Sequence, residues 1–467
     1  MPIYKNKIAI FCFEASLKIG AGHAMRACVL ADALIAKGWI CKVVTSEETY
    51  KFISSLERFE RVEPNEFYDA PIKCSLLVID NYDLGFEYET HFRPYAEKIL
   101  VIDDLANRKH DCDILLDQTL GRDANDYKSL VPKQCKILVS YNYILIRNEL
   151  VEMRPRSLEK RRNTTGINRI LVSMGGSDPK NHTITALEMI KKSGFKGTID
   201  VVLGFASEHM GSVKTFVETL ANDVKIHSKA DMARLLYQAD IALGAAGGSV
   251  WERCCLGLPQ VLILTADNQK SNFQTLEKLG ISSSLKNLIV NLHNYNQRQK
   301  FNIDGFGVNR VIKELDSDGG PKRVTFREVA YNDIDLIYSW QQIKEVRKYF
   351  NNPNPPSLSE HKQWFSKRIT HYENPYWIIC FDHQDCGVIS LTYNYDKESY
   401  ELSWFILPEV RGKGIGTEAL QLAVDTIYPL RIYAFVKEHN FDSHKSLIKT
   451  GFLKLKEGYY SSGGNDA

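Results

Sequence analysis

Two adjoining stretches decide how this chain is read: Ile8-Ala9-Ile10-Phe11-Cys12-Phe13, and after it Ile19-Gly20-Ala21-Gly22-His23-Ala24-Met25-Arg26. The first is a short apolar run of the kind that forms a buried strand. The second places two glycines, Gly20 and Gly22, at a strand-to-helix turn. Glycine there lets backbone approach a ligand closely, and the helix N-terminus behind it favours negative charge. His23 is then held beside that ligand with a ring suited to proton transfer near neutrality. Taken alone, the loop describes a strand-capping turn with a structural histidine equally well. The rest of the chain separates the two.

Outward from this loop the pattern alternates strand and helix. A helix is expected around Ala24–Lys37, stopped by Gly38, then a strand at Cys41–Thr45. Leu76–Asp80 and Ile99–Asp103 are near-continuous apolar runs ending in carboxylates. Such runs fit parallel strands buried on both faces, with ligand groups at their carboxyl ends. The polar, basic stretch Glu152–Asn168 reads as an exposed connection. A second α/β unit opens at Ile170–Met174 and continues through Ile199–Leu203, Ile241–Leu243 and Val261–Leu264. Leu315–Lys322 has the composition of a flexible linker, and Val324–Glu328 begins afresh as a strand. The tail Ser461–Ala467 is expected to be disordered. The expected divisions are therefore 1–150, 151–318 and 323–467.

Composition bounds the function. At 467 residues the chain exceeds one ordinary core. A balance of 59 basic and 57 acidic side chains gives no electrostatic case for nucleic acid or a membrane surface. No apolar run approaches the roughly 20 residues of a membrane helix, and the amino-terminal run is too short for a secretory signal. The cysteines form no CxxC pair and no zinc-ligand spacing, so buried free thiols in a reducing cytoplasm are expected, with no metal.

Four constellations in residues 1–315 belong together. They are the Gly20/Gly22/His23 loop; the strand ends Asp80-Asn81-Tyr82 and Asp103-Asp104; the turn Gly175-Gly176-Ser177-Asp178; and Gly247-Gly248-Ser249-Val250-Trp251-Glu252, followed by Asn268-Gln269. The glycine-serine turns suit backbone N–H groups cradling phosphate. Glu252, as a two-oxygen acceptor, suits both hydroxyls of a ribose. Each piece has a plain alternative: Gly247-Gly248 as a helix entry, Glu252 as a first-turn residue complementing the dipole, Asp103-Asp104 as cap and turn residues.

With Leu116-Asp-Gln118, Tyr143-Ile-Leu-Ile-Arg147, Asp304-Gly305 and Arg310-Val311 added, residues 1 to about 315 resemble the UDP-sugar hydrolases of pseudaminic acid biosynthesis. The resemblance implies a GT-B-type pair of Rossmann-like domains and an inverting, metal-independent hydrolysis of UDP-2,4-diacetamido-2,4,6-trideoxy-β-L-altropyranose. It implies His23 as the base that activates water, with Tyr82 and Asn268 positioning sugar or water. Gly20, Gly22, Arg26, Gly175, Gly176, Ser177, Gly247, Gly248, Ser249, Glu252 and Gln269 would bind the UDP-sugar. UDP leaves as a stabilised diphosphate, so backbone N–H groups suffice on the leaving side.

Residues 323–467 carry Val410-Arg411-Gly412-Lys413-Gly414-Ile415-Gly416 between a strand at Tyr400–Leu407 and a helix at Thr417–Ile427, then Asn440-Phe441-Asp442-Ser443. Strand, glycine-rich turn and helix start is a pyrophosphate-binding geometry. This region resembles the GNAT N-acetyltransferases. The resemblance implies a GNAT α/β domain with acetyl-CoA as co-substrate, its pyrophosphate on Val410–Gly416 and Asn440 and Ser443 near the pantetheine. Where many GNAT enzymes carry an acid tyrosine this chain has Leu447. His444, Ser443 or a tyrosine from elsewhere would have to serve, or the thiolate leaves without an acid. Glu401 is either a base acting through water or a solvated strand residue. The fusion suggests consecutive steps on a UDP-linked amino sugar. The alternatives are a GT-B glycosyltransferase with an accessory acetyltransferase, or a carboxy-terminal part that only binds acyl-CoA.

Overall fold

β1 (Ile8–Phe13) is buried along nearly its whole length, which makes it a central strand rather than an edge. The computed structural model describes residues 7–16, 20–176, 178–204, 207–228, 230–265, 270–283, 287, 303–316 and 323–462. The chain divides into two units at Asp316/Ser317, and each is described by itself.

In the first unit β1 lies between β2 (Ile40–Val44) and β4 (Cys74–Asp80), in the order β3-β2-β1-β4-β5-β6-β7. The others are β3 (Glu60–Val62), β5 (Ala96–Ile102), β6 (Ile114–Asp117) and β7 (Lys136–Val139), and all pairings are parallel. A second parallel sheet runs β10-β9-β8-β11-β12, from β8 (Arg169–Ser173), β9 (Thr198–Val202), β10 (Val224–His227), β11 (Ile241–Ala245) and β12 (Gln260–Ile263). Both have the strand order of dinucleotide-binding sheets. The chain starts in the middle, builds outward on one side, then returns to build on the other. That reversal opens a crevice at the carboxyl ends of β1 and β4, and again at β8 and β11, where open α/β sheets bind ligands.

Two expectations change. Glu152–Asn168 is not an exposed connection: most of it belongs to a helix, Asn148–Asn163. Two of its arginines, Arg154 and Arg161, turn inward. Arg154 donates to the Cys255 carbonyl, and Arg161 to the carbonyls of Leu236, Tyr237 and Ala239. These carbonyls end two helices, Ser249–Cys255 and Met232–Gln238, where a cation offsets the dipole. The helix Gly307–Leu315, within the stretch expected to form the second half, packs into the core built on β1 and the helix Gly22–Ile35. It presents Val308, Val311, Ile312 and Leu315 at i, i+3, i+4 and i+7. Gly307 allows the close approach, since a Cβ there would sit 2.1 Å from the Ile144 carbonyl oxygen.

The second unit holds one mixed sheet, β13-β14-β15-β16-β17-β19-β18. Its strands are β13 (Val324–Glu328), β14 (Tyr376–Phe381), β15 (Gln384–Asn394), β16 (Ser399–Ile406), β17 (Ile432–Phe435), β18 (Leu453–Lys456) and β19 (Tyr459–Ser462). The β16–β17 pairing is parallel and short, Tyr400–Leu402 against Ile432–Ala434, so Ser403–Ile406 have no strand on that side. All ten cysteines are free thiols, and all but Cys135 are buried. Among the described residues no helix is long and apolar enough to cross a membrane.

Ile312→Ala is expected to destabilise the first unit by about 2–5 kcal/mol, the range for truncating a buried aliphatic side chain. Chemical denaturation followed by intrinsic fluorescence measures it. An unchanged midpoint would mean the helix contributes no packing to that core.

Candidate functional site

The first crevice is built by β1, β4 and the loop between β1 and its helix. Phe13 and Asp80 are register partners at the strand ends. Gly20 has φ +89°, a conformation side chains resist, and Gly22 opens the helix Gly22–Ile35; a Cβ at either would meet nothing. The turn therefore faces open space.

His23 sits in the first helical turn, buried to 5 % exposure, and its Nδ1 lies 2.6 Å from Asp80 Oδ1 and 2.9 Å from the Asp80 carbonyl oxygen. The carbonyl only accepts, so Nδ1 carries the proton and donates it. In the neutral ring, Nε2 then holds the lone pair. No described residue hydrogen-bonds to Nε2.

One turn on, Arg26 grips the same carboxylate in a fork, Nε to Oδ2 at 3.0 Å and Nη2 to Oδ1 at 2.8 Å. Burial pushes the Asp80 carboxyl up, but Arg26 and then His23 outweigh burial and hold it below its usual value. Tyr82 stands edge-on to the His23 ring, with centroids 4.8 Å apart, and donates to Asp104 Oδ2. Burial, then the Asp104 charge, pushes the Tyr82 hydroxyl up, so it stays protonated. Asp104 also faces Arg26 at 3.6 Å, and its Oδ1 is buried without a hydrogen-bond partner. The two neighbouring carboxylates thus differ. Asp103 accepts from the Leu105 and Ala106 N–H groups, Arg108 and Tyr127, the turn role given as its alternative; Asp104 turns into the site.

The second crevice is at β8 and β11. Gly175, with φ +93°, and Gly176 follow β8, and a Cβ on either would meet nothing. Asp178 caps the helix His182–Ser193 through the N–H groups of His182 and Thr183, so it closes the turn. Beyond β11 come Gly247, Gly248 and Ser249, then Glu252 in the helix Ser249–Cys255. Glu252 Oε1 accepts from Arg147 Nε at 2.9 Å. Sequence quoted Arg147 without a role; it fixes the carboxylate while Oε2 has no protein donor among the described residues. Ser177, Asn268 and Gln269 lie outside the described residues.

In the second unit the turn after β16 contains Gly412 (φ +77°) and Gly414 (φ +82°), both facing open space, and leads from Val410 into the helix Ile415–Ile427. Gly416 lies in that helix, with Ser446 nearby. The Arg411 guanidinium turns back onto the Ile406 and Glu345 carbonyls, and Lys413 lies over the Phe381 ring. Those side chains brace the turn from the protein side. Asn440 caps the helix Phe441–Lys449 by accepting from the Ser443 N–H.

Glu401 is exposed on β16, accepts from Asn394 and pairs with Lys397. Leu447 is wholly buried in the core. His444 Nε2 lies 3.2 Å from the Lys437 carbonyl oxygen, which requires a proton on Nε2. Nδ1 therefore accepts from Tyr460 Oη at 2.7 Å. Tyr460, buried on β19, is a tyrosine from elsewhere that the sequence did not single out.

A protein-family model described as an acetyltransferase (GNAT) domain matches residues 323–453. The second unit has the GNAT acetyltransferase fold. The UDP-2,4-diacetamido-2,4,6-trideoxy-β-L-altropyranose hydrolase of Campylobacter jejuni is 25 % identical over 59 % of this chain and 98 % of its own length. An uncharacterized protein of Methanocaldococcus jannaschii is 23 % identical over 97 % of this chain and 98 % of its own. Spermidine N-acetyltransferase from Vibrio cholerae, solved with CoA and spermine, is 23 % identical over 29 % of this chain and 83 % of that one, with a TM-score of 0.27. A hydrolase-like region joined to a GNAT domain is what the sequence resemblance gave.

The Asp80 pair has a pH signature. Because its folded pKa is lowered, its contribution to stability is full above the unfolded value near 3.9 and is lost as pH falls through the folded one. Arg26→Met removes the strongest opposing charge, so acid unfolding should begin at higher pH than in the wild type. Circular dichroism across an acid titration reads this, and superimposable curves would remove Arg26 as the controlling charge.

Proposed function

We propose that the chain is a bifunctional enzyme acting in sequence on one nucleotide sugar. The second unit transfers an acetyl group from acetyl-CoA to the 4-amino group of a UDP-4-amino-4,6-dideoxy-N-acetyl-altrosamine. The first unit then hydrolyses the resulting UDP-2,4-diacetamido-2,4,6-trideoxy-β-L-altropyranose to free sugar and UDP. The observation that carries the hydrolytic half is the His23 tautomer. An ionised Asp80 holds the Nδ1 proton, leaving Nε2 as a base beside a glycine turn at a sheet switch point. The similarity of this region to the Campylobacter jejuni hydrolase gives that base a substrate class.

On this reading the two parallel halves form a GT-B-type pair. The first crevice supplies the base and the second holds UDP, with Glu252 on the ribose and the Gly175–Gly176 and Gly247–Ser249 turns on the diphosphate. His23 Nε2 takes a proton from water as its oxygen attacks the anomeric carbon. The bond from that carbon to the diphosphate oxygen breaks on the opposite face, which inverts the centre. The imidazolium so formed is stabilised by Asp80, and backbone N–H groups receive the charge on UDP. Every step is served by protein groups, so the reading calls on no metal.

In the second unit acetyl-CoA supplies the acetyl group. The Gly412–Gly414 turn would hold its pyrophosphate, and the unpaired edge of β16 at Ser403–Ile406 leaves room beside it for the rest of the molecule. The matched GNAT domain supports this assignment.

The test supplies UDP-4-amino-4,6-dideoxy-N-acetyl-β-L-altrosamine with and without acetyl-CoA and follows all products by mass spectrometry. Free diacetamido sugar and UDP only when acetyl-CoA is present supports both activities in this order. Equal UDP release without acetyl-CoA removes the consecutive-step argument, and UDP release only with an added acceptor alcohol gives a glycosyltransferase. His23→Ala should lower UDP release by about 10²–10⁴-fold, the range for a general base. Asp80→Asn should also lower UDP release, because the neutral amide no longer stabilises the imidazolium, while the Asp80 backbone carbonyl still holds the proton on Nδ1. Neither should change UDP affinity, which separates a catalytic role from a binding one.

A further inference from the structure

Arg253 is an anomaly within the second crevice. It is 2 % exposed and forms no ion pair with any described carboxylate. Its partners are all neutral: Nε donates to Gln260 Oε1 at 2.5 Å, Nη1 to Ser249 Oγ at 3.0 Å and Nη2 to the Ala245 carbonyl at 2.8 Å. Burial pulls the guanidinium down to about 10, which still leaves it charged at neutral pH. A buried cation without a counter-charge is costly unless something offsets it.

The other buried arginines of this region, Arg154 and Arg161, lie at helix carboxyl ends, where backbone carbonyls supply partial negative charge. Arg253 belongs to the helix Ser249–Cys255, but its side chain runs back to the amino end, where the backbone charge is positive. The helix therefore adds to the cost. Space has been kept for this: a Cβ on Gly244 would lie 2.6 Å from Arg253 Nη1. The guanidinium sits beneath the turn from Ala245 to Ser249 and bonds to both its ends.

We propose that Arg253 is a positioning residue for the diphosphate, acting from beneath the Gly247–Gly248 turn and through Ser249. Ser249 Oγ accepts from the guanidinium, so its single O–H is free to point away and donate to a phosphate oxygen. A hydroxyl that accepts from a cation is a stronger donor in turn. The charge reaches the ligand without touching it, and the fork holds both ends of the turn at the spacing the ligand needs. This inference rests on the reading of the second crevice as the UDP site. It assigns the phosphate half of that ligand, and not the nucleoside, to Arg253.

The experiment titrates UDP and, separately, uridine into the full-length wild type and the Arg253→Met, Arg253→Lys and Ser249→Ala variants. Calorimetry reads UDP, and ligand-observed NMR reads uridine. Arg253→Met should weaken UDP by about tenfold or more, as expected for loss of a charge-assisted contact, and leave uridine within about twofold. Arg253→Lys, which keeps the charge, should recover part of the loss. Ser249→Ala alone should weaken UDP, and combined with Arg253→Met should cost less than the two single losses added. Unchanged UDP affinity in Arg253→Met overturns the proposal. So does an equal loss of UDP and uridine, which would mark a structural role. A wild type that binds neither overturns the UDP reading itself, and the proposal with it.

Discussion

The hydrogen bond from His23 Nδ1 to Asp80 is the constraint on which the first crevice depends. It selects the tautomer, and the tautomer decides whether the outward nitrogen is a base or a donor. The side-chain bond is charge-assisted only while Asp80 is ionised, and a carboxylate at 2 % exposure does not stay ionised unaided. Arg26 supplies the aid. His23 and Arg26 are three residues apart on one helix, so a single turn presents base and counter-ion to the same strand end. Tyr82 closes the edge of the ring, and Asp104 ties it back to Arg26.

The same topological device is used twice in the first unit, with different chemistry at each. At the β1–β4 reversal the strand end contributes a carboxylate and the helix a histidine, which makes a proton acceptor. At the β8–β11 reversal the strand ends lead into glycine turns, which offer backbone N–H groups to an anion. One crevice holds negative charge that orients a base; the other holds a buried positive charge under its turn. On the proposed reading that division serves water activation at one end of the scissile bond and the departing diphosphate at the other.

Much of this was legible in the sequence, because the strands carry near-continuous apolar runs and the site residues follow them at glycine turns. Ile8–Phe13 and Val324–Glu328 are strands over the lengths expected, and the doubly wound pattern follows from the alternation. The short strands Glu60–Val62, Ile114–Asp117, Lys136–Val139 and Val224–His227 were not singled out; at three or four residues none has a period to read. Glu152–Asn168 misled because basic composition normally means solvent. Here arginines are consumed by helix carboxyl ends that only the fold brings near. The contacts of Arg147 and Arg253 were not legible: Arg147 meets Glu252, 105 residues away, and nothing in the local sequence marks Arg253 as buried among neutral partners.

The GNAT unit poses the reverse problem, since a motif can be present while its usual neighbours are not. Leu447 is core, so restoring a tyrosine there would place a hydroxyl among apolar side chains instead of adding an acid. Tyr460, buried on β19, is hydrogen-bonded to the half-buried His444. In the neutral ring the Lys437 carbonyl takes the Nε2 proton, so Tyr460 gives its proton to Nδ1. For Tyr460 to act as an acid it would first have to leave that bond, whereas a thiolate departing without an acid asks nothing of the fold. On the proposed reading, acetyl transfer then rests on binding and alignment by the protein, with the thiolate leaving unprotonated.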